Sequence, residues 1–282
     1  DTGKEIARLF GHEPPVPLTY EWISLRGQGA MSSSSGNTVG PMEALRLVPP
    51  EILRFLVANS KPSKAIEFDT AMGLVNLADE YERLCNRNFR TELEDDALSR
   101  RKRVQIEDAM VAVELSSTDE NKARTGASVS FRHLALLAQV KPTDEGVWQS
   151  LQASGALETP GEELVDRLSR MRSWIASDHF PEEMRVNLSQ EPNKNALNLL
   201  SVEQKRVVMV LHSALSQFPW DVEGITAAFK EASVQANVGM RDVYRASYAV
   251  FMGAERGPRL APILSNCERE EMLTLVKKSA AL

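Results

Sequence analysis

The residues whose types and spacing bear most directly on chemistry lie early in the chain, in Ala30-Met31-Ser32-Ser33-Ser34-Ser35-Gly36-Asn37. Serine hydroxyls donate hydrogen bonds, and small side chains let backbone amides approach an anion such as a phosphate. The surrounding segment, Gly27 to Gly40, has little apolar material to bury. It therefore reads either as a flexible linker or as a mobile ligand loop. It contains no lysine or arginine, and Arg26 is the nearest cation in sequence.

A second group of interest is basic. Arg100-Arg101-Lys102-Arg103 follows Glu94-Asp95-Asp96 on a predicted helix. That pattern suits either a solvated face with local ion pairs or contact with a phosphate backbone. Further along, Lys122, Arg124, Arg132, Arg241, Arg245, Arg256 and Arg259 are candidates for reading unstacked bases, with Trp148, Trp174, Trp220 and Tyr248 as candidate platforms. Most of those aromatics also fall within apolar helical patterns, which is the ordinary signature of core. Arg256-Gly257-Pro258-Arg259 reads equally as a turn between helices.

Other chemistries find little support. Cys85 and Cys267 stand alone, so no Cys-x-x-Cys pair offers a zinc site, and both read as buried thiols. No metal site is expected. The serines lack a nucleophile elbow with a histidine partner, since His12, His133, His179 and His212 are isolated.

The elements that must position these residues follow from apolar periodicity. Glu13-Pro14-Pro15-Val16-Pro17 is a rigid connector, and Leu18 to Leu25 reads as a strand of mixed pattern. Beyond Pro41 the pattern is helical. Glu43 to Leu47 and the Pro50-Glu51-Ile52 start come first, then amphipathic stretches from Phe68 to Leu84 and from Leu98 to Val113. After a polar boundary between Ser116 and Ser130, at least five more helices are expected. Thr159-Pro160-Gly161-Glu162 and Ser201-Val202-Glu203-Gln204 read as capping boxes, Gly253 as a left-handed stop, and Ser265 to Glu268 as the cap of the last helix.

At 282 residues, with 43% hydrophobic and 26% charged residues, the chain suits two or three soluble, mainly α units. No run approaches about 18 apolar residues and no basic-then-apolar leader opens the chain, so no membrane span is expected and the cytoplasm is the expected compartment. A net charge of −6, from 33 basic and 39 acidic residues, argues against indiscriminate coating of nucleic acid but permits a local basic face.

The segment at residues 30–37 resembles the KMSKS signature of class I aminoacyl-tRNA synthetases. Its frame is similar to that of the class I lysyl-tRNA synthetases: Tyr20-Glu21-Trp22, then Met-Ser-x-Ser-x-Gly-Asn, then Pro49-Pro50-Glu51-Ile52-Leu53-Arg54. Met72-Gly73-Leu74-Val75, Ser130-Phe131-Arg132-His133-Leu134, and Tyr248 through Gly253 to Arg256-Gly257-Pro258-Arg259-Leu260 also look like that family. The resemblance departs from the pattern at Ala30 and Ser33, which stand where the signature has lysine, and at Ser35, where lysyl enzymes often carry one.

The resemblance implies the end of a Rossmann-type catalytic domain (1–47), a helical stem-contact domain (48–125) and an α-helix-cage anticodon-binding domain (126–282). It implies ATP binding by Met31, Ser32, Ser33, Ser34, Ser35, Gly36 and Asn37, with Mg2+. It also implies tRNA contact through Arg100, Arg101, Lys102, Arg103, Arg132, Arg256 and Arg259. The implied function is the tRNA-binding part of a lysine–tRNA ligase, acting through lysyl-adenylate on lysine, ATP and tRNA(Lys). No His-x-Gly-His occurs in the sequence, so no complete catalytic site is expected and the chain alone should not activate lysine. A glutamyl-type synthetase, or an all-α protein-interaction module, is an alternative on sequence alone.

Overall fold

The computed structural model describes residues 2–17, 19–27, 29–30, 40–118 and 129–282. The chain divides into two units, one of residues 1–45 and 49–126, the other of 46–48 and 127–282. Helix dominates both, as the periodicity predicts.

In the first unit the described elements are α1 (Thr2–Leu9), β1 (Ile23–Leu25), β2 (Gly29–Ala30), α2 (Pro41–Leu47), α3 (Pro50–Ala58), β3 (Ile66–Phe68), α4 (Met72–Cys85), α5 (Phe89–Leu93) and α6 (Arg100–Ser116). α2 ends in residues that group with the second unit. The strands order β2-β1-β3. β1 runs antiparallel to β2 and parallel to β3, with Leu25 opposite Phe68. A parallel partner requires a crossover, and α2 and α3 lie within it.

The strand expected over Leu18 to Leu25 is confined to three residues. Two backbone bonds still flank it, from Glu21 N to Pro62 O and from Ile66 N to Trp22 O. The helix expected from Phe68 starts later. Phe68 fits a helical spacing to Met72, but its burial comes from pairing beside Leu25 in the sheet. Pro50 opens α3 at the position where a missing N–H is harmless. α3, α4, α5 and α6 bury Phe55, Leu84, Phe89, Ile106, Ala112 and Val113 together, and Arg54 donates twice to Leu115 O at the end of α6.

The second unit holds α7 (Phe131–Val140), α8 (Asp144–Ala153), α9 (Glu162–Ile175), α10 (Lys194–Asn198), α11 (Val202–Gln217), α12 (Val222–Ala236), α13 (Met240–Met252), α14 (Leu260–Leu264) and α15 (Arg269–Ala280). α11 is the central element, with α12, α13 and α15 packed around its apolar face in one core that includes Leu211, Phe229, Val250 and Val276. Arg172 ties α9 to the α7–α8 corner, donating to Asp144 Oδ1 and to the Ala138 and Lys141 carbonyls.

Two of the expected caps differ. Thr159 does not cap α9, whose N-cap is Gly161 with no side-chain bond; acidic Glu162 and Glu163 in the first turn favour a start there against the helix dipole. Ser265 and Asn266 do not cap α15. Both side chains donate back to Pro262 O and close α14 instead. The Ser201–Gln204 capping box and the left-handed Gly253 stop are present as expected.

Candidate functional site

The first cluster is built where two parallel strands end. Arg26 follows β1 and Asp69 follows β3, and the register that sets Leu25 beside Phe68 sets these two side chains together. Arg26 Nη1 donates to Asp69 Oδ2 at 2.6 Å, and Arg26 N donates to Phe68 O at 3.1 Å. Asp69 also receives Ala71 N on Oδ1 and Gly73 N on Oδ2, both at 2.9 Å, at the start of α4. Burial alone would raise the Asp69 carboxyl, but the bonds from Ala71, Arg26 and Gly73 outweigh it and hold it below the usual aspartate range. The same hydrogen bond and charge from Asp69 hold the Arg26 guanidinium more firmly protonated.

A Cβ on residue 73 would overlap the Asp69 side chain, so only glycine lets the carboxylate fold over the helix start. Asp69 was not singled out in sequence. Its only signal was an acidic residue a short step ahead of a helix, followed by a glycine. Met31, Ser32, Ser33, Ser34, Ser35, Gly36 and Asn37 lie outside the described residues, as do Lys122 and Arg124.

The basic run occupies the first turn of α6. Ser99 caps it by accepting Lys102 N at 3.3 Å, and no acidic residue stands in that turn. Arg100, Arg101 and Lys102 are exposed, and Arg103 donates to Leu93 O at 2.9 Å. The local ion pairs considered from sequence do not form among the described residues: Asp95 instead accepts Ala97 N. Four cations at the positive end of a helix are unfavourable to it by roughly 0.3–1 kcal/mol each.

In the second unit, α13 gathers much of the remaining candidate set. Arg170, Arg172, Arg185 and Arg206 there are engaged by carboxylates, and Arg269 by backbone carbonyls. Arg241 and Arg245 on α13, and Arg256 and Arg259 in the turn after it, are exposed and make neither ion pair nor side-chain hydrogen bond among the described residues. Tyr248 OH lies 3.0 Å from both Gly257 O and Pro258 O and fixes that turn. A cavity of 430 Å3 opens beside it, lined by Tyr244, Tyr248, Arg259 and Thr226. On another side of α13 a cavity of 280 Å3 is lined by Asn193, Asn195, Gln204 and Arg245.

The remaining candidates are dispersed. Arg132 is exposed in the first turn of α7 and has a partner. Trp174 is no platform: it is wholly buried, 5.4 Å from the Phe131 ring and 4.7 Å from Phe180. Trp220 donates Nε1–H to Cys267 O, with the Arg269 guanidinium 5.9 Å from its ring. Trp148 is half-buried in α8. Among the described residues no group of His, Cys, Asp or Glu is placed to hold a metal ion, and no helix is long and apolar enough to cross a membrane.

Comparison with known proteins bears on this arrangement. Residues 1–109 match the family model of tRNA synthetases class I (K). Over 98% of its length the chain is 32% identical to a lysine–tRNA ligase of Thermoplasma volcanium, of which it covers 52%. The chain is thus similar to lysine–tRNA ligases, and its residues 1–109 to the class I tRNA synthetases. Lysine–tRNA ligases of Thermoplasma acidophilum and Thermococcus kodakarensis are 31% and 28% identical, each over 96% of the chain and covering 50% and 51% of the relative. The chain thus spans about half the length of the relatives it matches. Within the class I lysyl-tRNA synthetase match, residues 1–109 carry both the Arg26–Asp69 cluster and the basic start of α6.

Proposed function

We propose that this chain is the tRNA-holding part of a lysine–tRNA ligase, with residues 31–37 as a loop that receives ATP. In that reading residues 1–47 close a Rossmann-type catalytic domain, 48–125 form the stem-contact domain and 126–282 the anticodon-binding helical domain. The whole protein joins lysine to tRNA(Lys): the lysine carboxylate attacks the α-phosphorus of ATP, pyrophosphate leaves, and a terminal hydroxyl of the tRNA then takes the lysyl group from lysyl-adenylate as AMP leaves.

The observation that carries the proposal is the set of unengaged guanidinium groups on α13 and its turn, beside two tyrosines. An arginine kept exposed and unpaired, where its neighbours in the same unit are satisfied, is suited to a mobile polyanion. Tyrosine faces and guanidinium planes suit the unstacked bases of an anticodon loop. The four cations on the first turn of α6 oppose their own helix, which is understandable if phosphates of a tRNA stem compensate them. Magnesium would accompany the ATP and would supply positive charge to its triphosphate.

The test is binding of the chain to tRNA(Lys) and tRNA(Glu) transcripts over a range of salt. Salt-dependent retention of tRNA(Lys), weaker for tRNA(Glu), is expected. Equal retention of both would favour a glutamyl-type or non-discriminating partner, and no retention at low salt would overturn the tRNA reading.

A further inference from the structure

We infer that Arg26 is the cation this site offers to the triphosphate, parked on Asp69 until the nucleotide arrives. The inference rests on reading residues 31–37 as the ATP loop and goes beyond it by naming where the positive charge comes from. A nucleoside triphosphate brings several negative charges. Residues 27–40 contain no lysine or arginine to meet them. Backbone amides and hydroxyls supply partial charges only, whereas a guanidinium supplies a full one with fork geometry matched to phosphate.

Arg26 is the residue from which the chain enters that segment. Its side chain is 64% exposed although it is bonded to Asp69, so the ion pair faces solvent rather than core. The pair also stands at the carboxyl ends of the parallel strands β1 and β3, immediately before the segment read as the ATP loop.

The bonding of Asp69 makes the exchange inexpensive. If Arg26 left, Asp69 would keep Ala71 N on one oxygen and Gly73 N on the other, at the positive end of a 14-residue helix. The carboxylate is therefore not orphaned when the guanidinium turns to a phosphate. An exposed ion pair is worth little in itself, so a phosphate can compete for the arginine. Asp69 acts as a positioning residue: it holds Arg26 at the strand end in the absence of nucleotide and sets the threshold for releasing it.

This arrangement predicts opposite effects from the two partners, which a shared structural role does not. The experiment is lysine-dependent pyrophosphate exchange by the full-length protein, with ATP varied at saturating lysine and thermal unfolding followed in parallel. Arg26→Gln is expected to raise the KM for ATP about tenfold to a hundredfold, the range for losing one charged hydrogen bond, with the lysine KM unmoved. Arg26→Lys should recover part of that loss. Asp69→Asn weakens the parking contact and should lower the ATP KM. Exchange whose ATP KM is unmoved by Arg26→Gln overturns this inference while leaving the ATP reading intact. Parallel rises in the ATP and lysine KM for both residues, with matching losses of thermal stability, overturn it in favour of a structural pair. A wild-type protein without exchange overturns the reading beneath it.

Discussion

Gly73 donates its backbone N–H to Asp69 Oδ2 at 2.9 Å from directly beneath that side chain, with no room between them for a methyl group. One glycine thus permits the contact on which the strand ends, the start of α4 and Arg26 all converge. Gly73→Ala gains helix propensity of roughly 1 kcal/mol, but it must expel the Asp69 carboxylate, and overpacking of this kind costs about 1–3 kcal/mol. A net loss of stability is expected in denaturant unfolding of the chain. A variant as stable as the parent would show that the carboxylate has another place to rest.

The first turn of α6 gives a separable prediction. Arg100→Gln and Arg101→Gln remove unfavourable charge from the positive end of the helix, so each should stabilise the unit by a few tenths of a kcal/mol, up to about 1. Each should also weaken tRNA binding and flatten its salt dependence by about 0.7–0.9 logarithmic units for every phosphate that the variant no longer neutralises. Higher stability together with weaker binding is the expected pair. An unchanged salt slope would assign the run to a solvated face.

Tyr248 holds the turn that presents Arg256 and Arg259. Tyr248→Phe keeps the ring and removes only the hydroxyl, which should cost about 1 kcal/mol of stability. If the turn must be held for tRNA, binding should also fall severalfold without change in the salt slope, because the charge is the same. Arg259→Gln should instead flatten the slope. Identical salt behaviour in the two variants would contradict the division of labour between hydroxyl and guanidinium.

His133 provides a pH test. Burial holds its imidazole below the ordinary histidine range, so the folded chain resists protonating it. The unfolded chain takes up that proton below about pH 6.5, and a group with a depressed folded-state pKa then favours unfolding. Stability should be full above that pH, decline as pH falls through it, and level off once the folded form also protonates. His133→Gln should remove this part of the decline. Denaturant midpoints of both chains between pH 8 and pH 5 measure it, and superimposable slopes would place the pH sensitivity elsewhere.

Trp174 separates core from interface. Wholly buried between Phe131 and Phe180, it should cost about 3–5 kcal/mol when replaced by Ala. Trp174→Phe, which retains the ring contacts in part, should restore folding and leave tRNA binding at the parental level. Selective loss of binding in a well-folded Trp174→Phe chain would return this residue to the set of platforms.

Local chemistry was legible wherever it depends on neighbours in the chain. The Ser201–Gln204 box, Pro50 at the head of α3, Gly253 as a stop and the helical stripes behind them all follow from spacings of three or four residues, and the sequence alone determined them. The resemblance to class I lysyl-tRNA synthetases was likewise carried by contiguous motifs. What only the tertiary structure decided involves partners distant in sequence. Arg26 and Asp69 are 43 residues apart and meet because two short strands pair in one register. Ser265 and Asn266 turn back to α14 rather than forward to α15, and Trp174 belongs to the core. The same residue types and spacings were compatible with either outcome in each case. The choice rests on burial and on competition among hydrogen-bond partners, which exist only once the chain has folded.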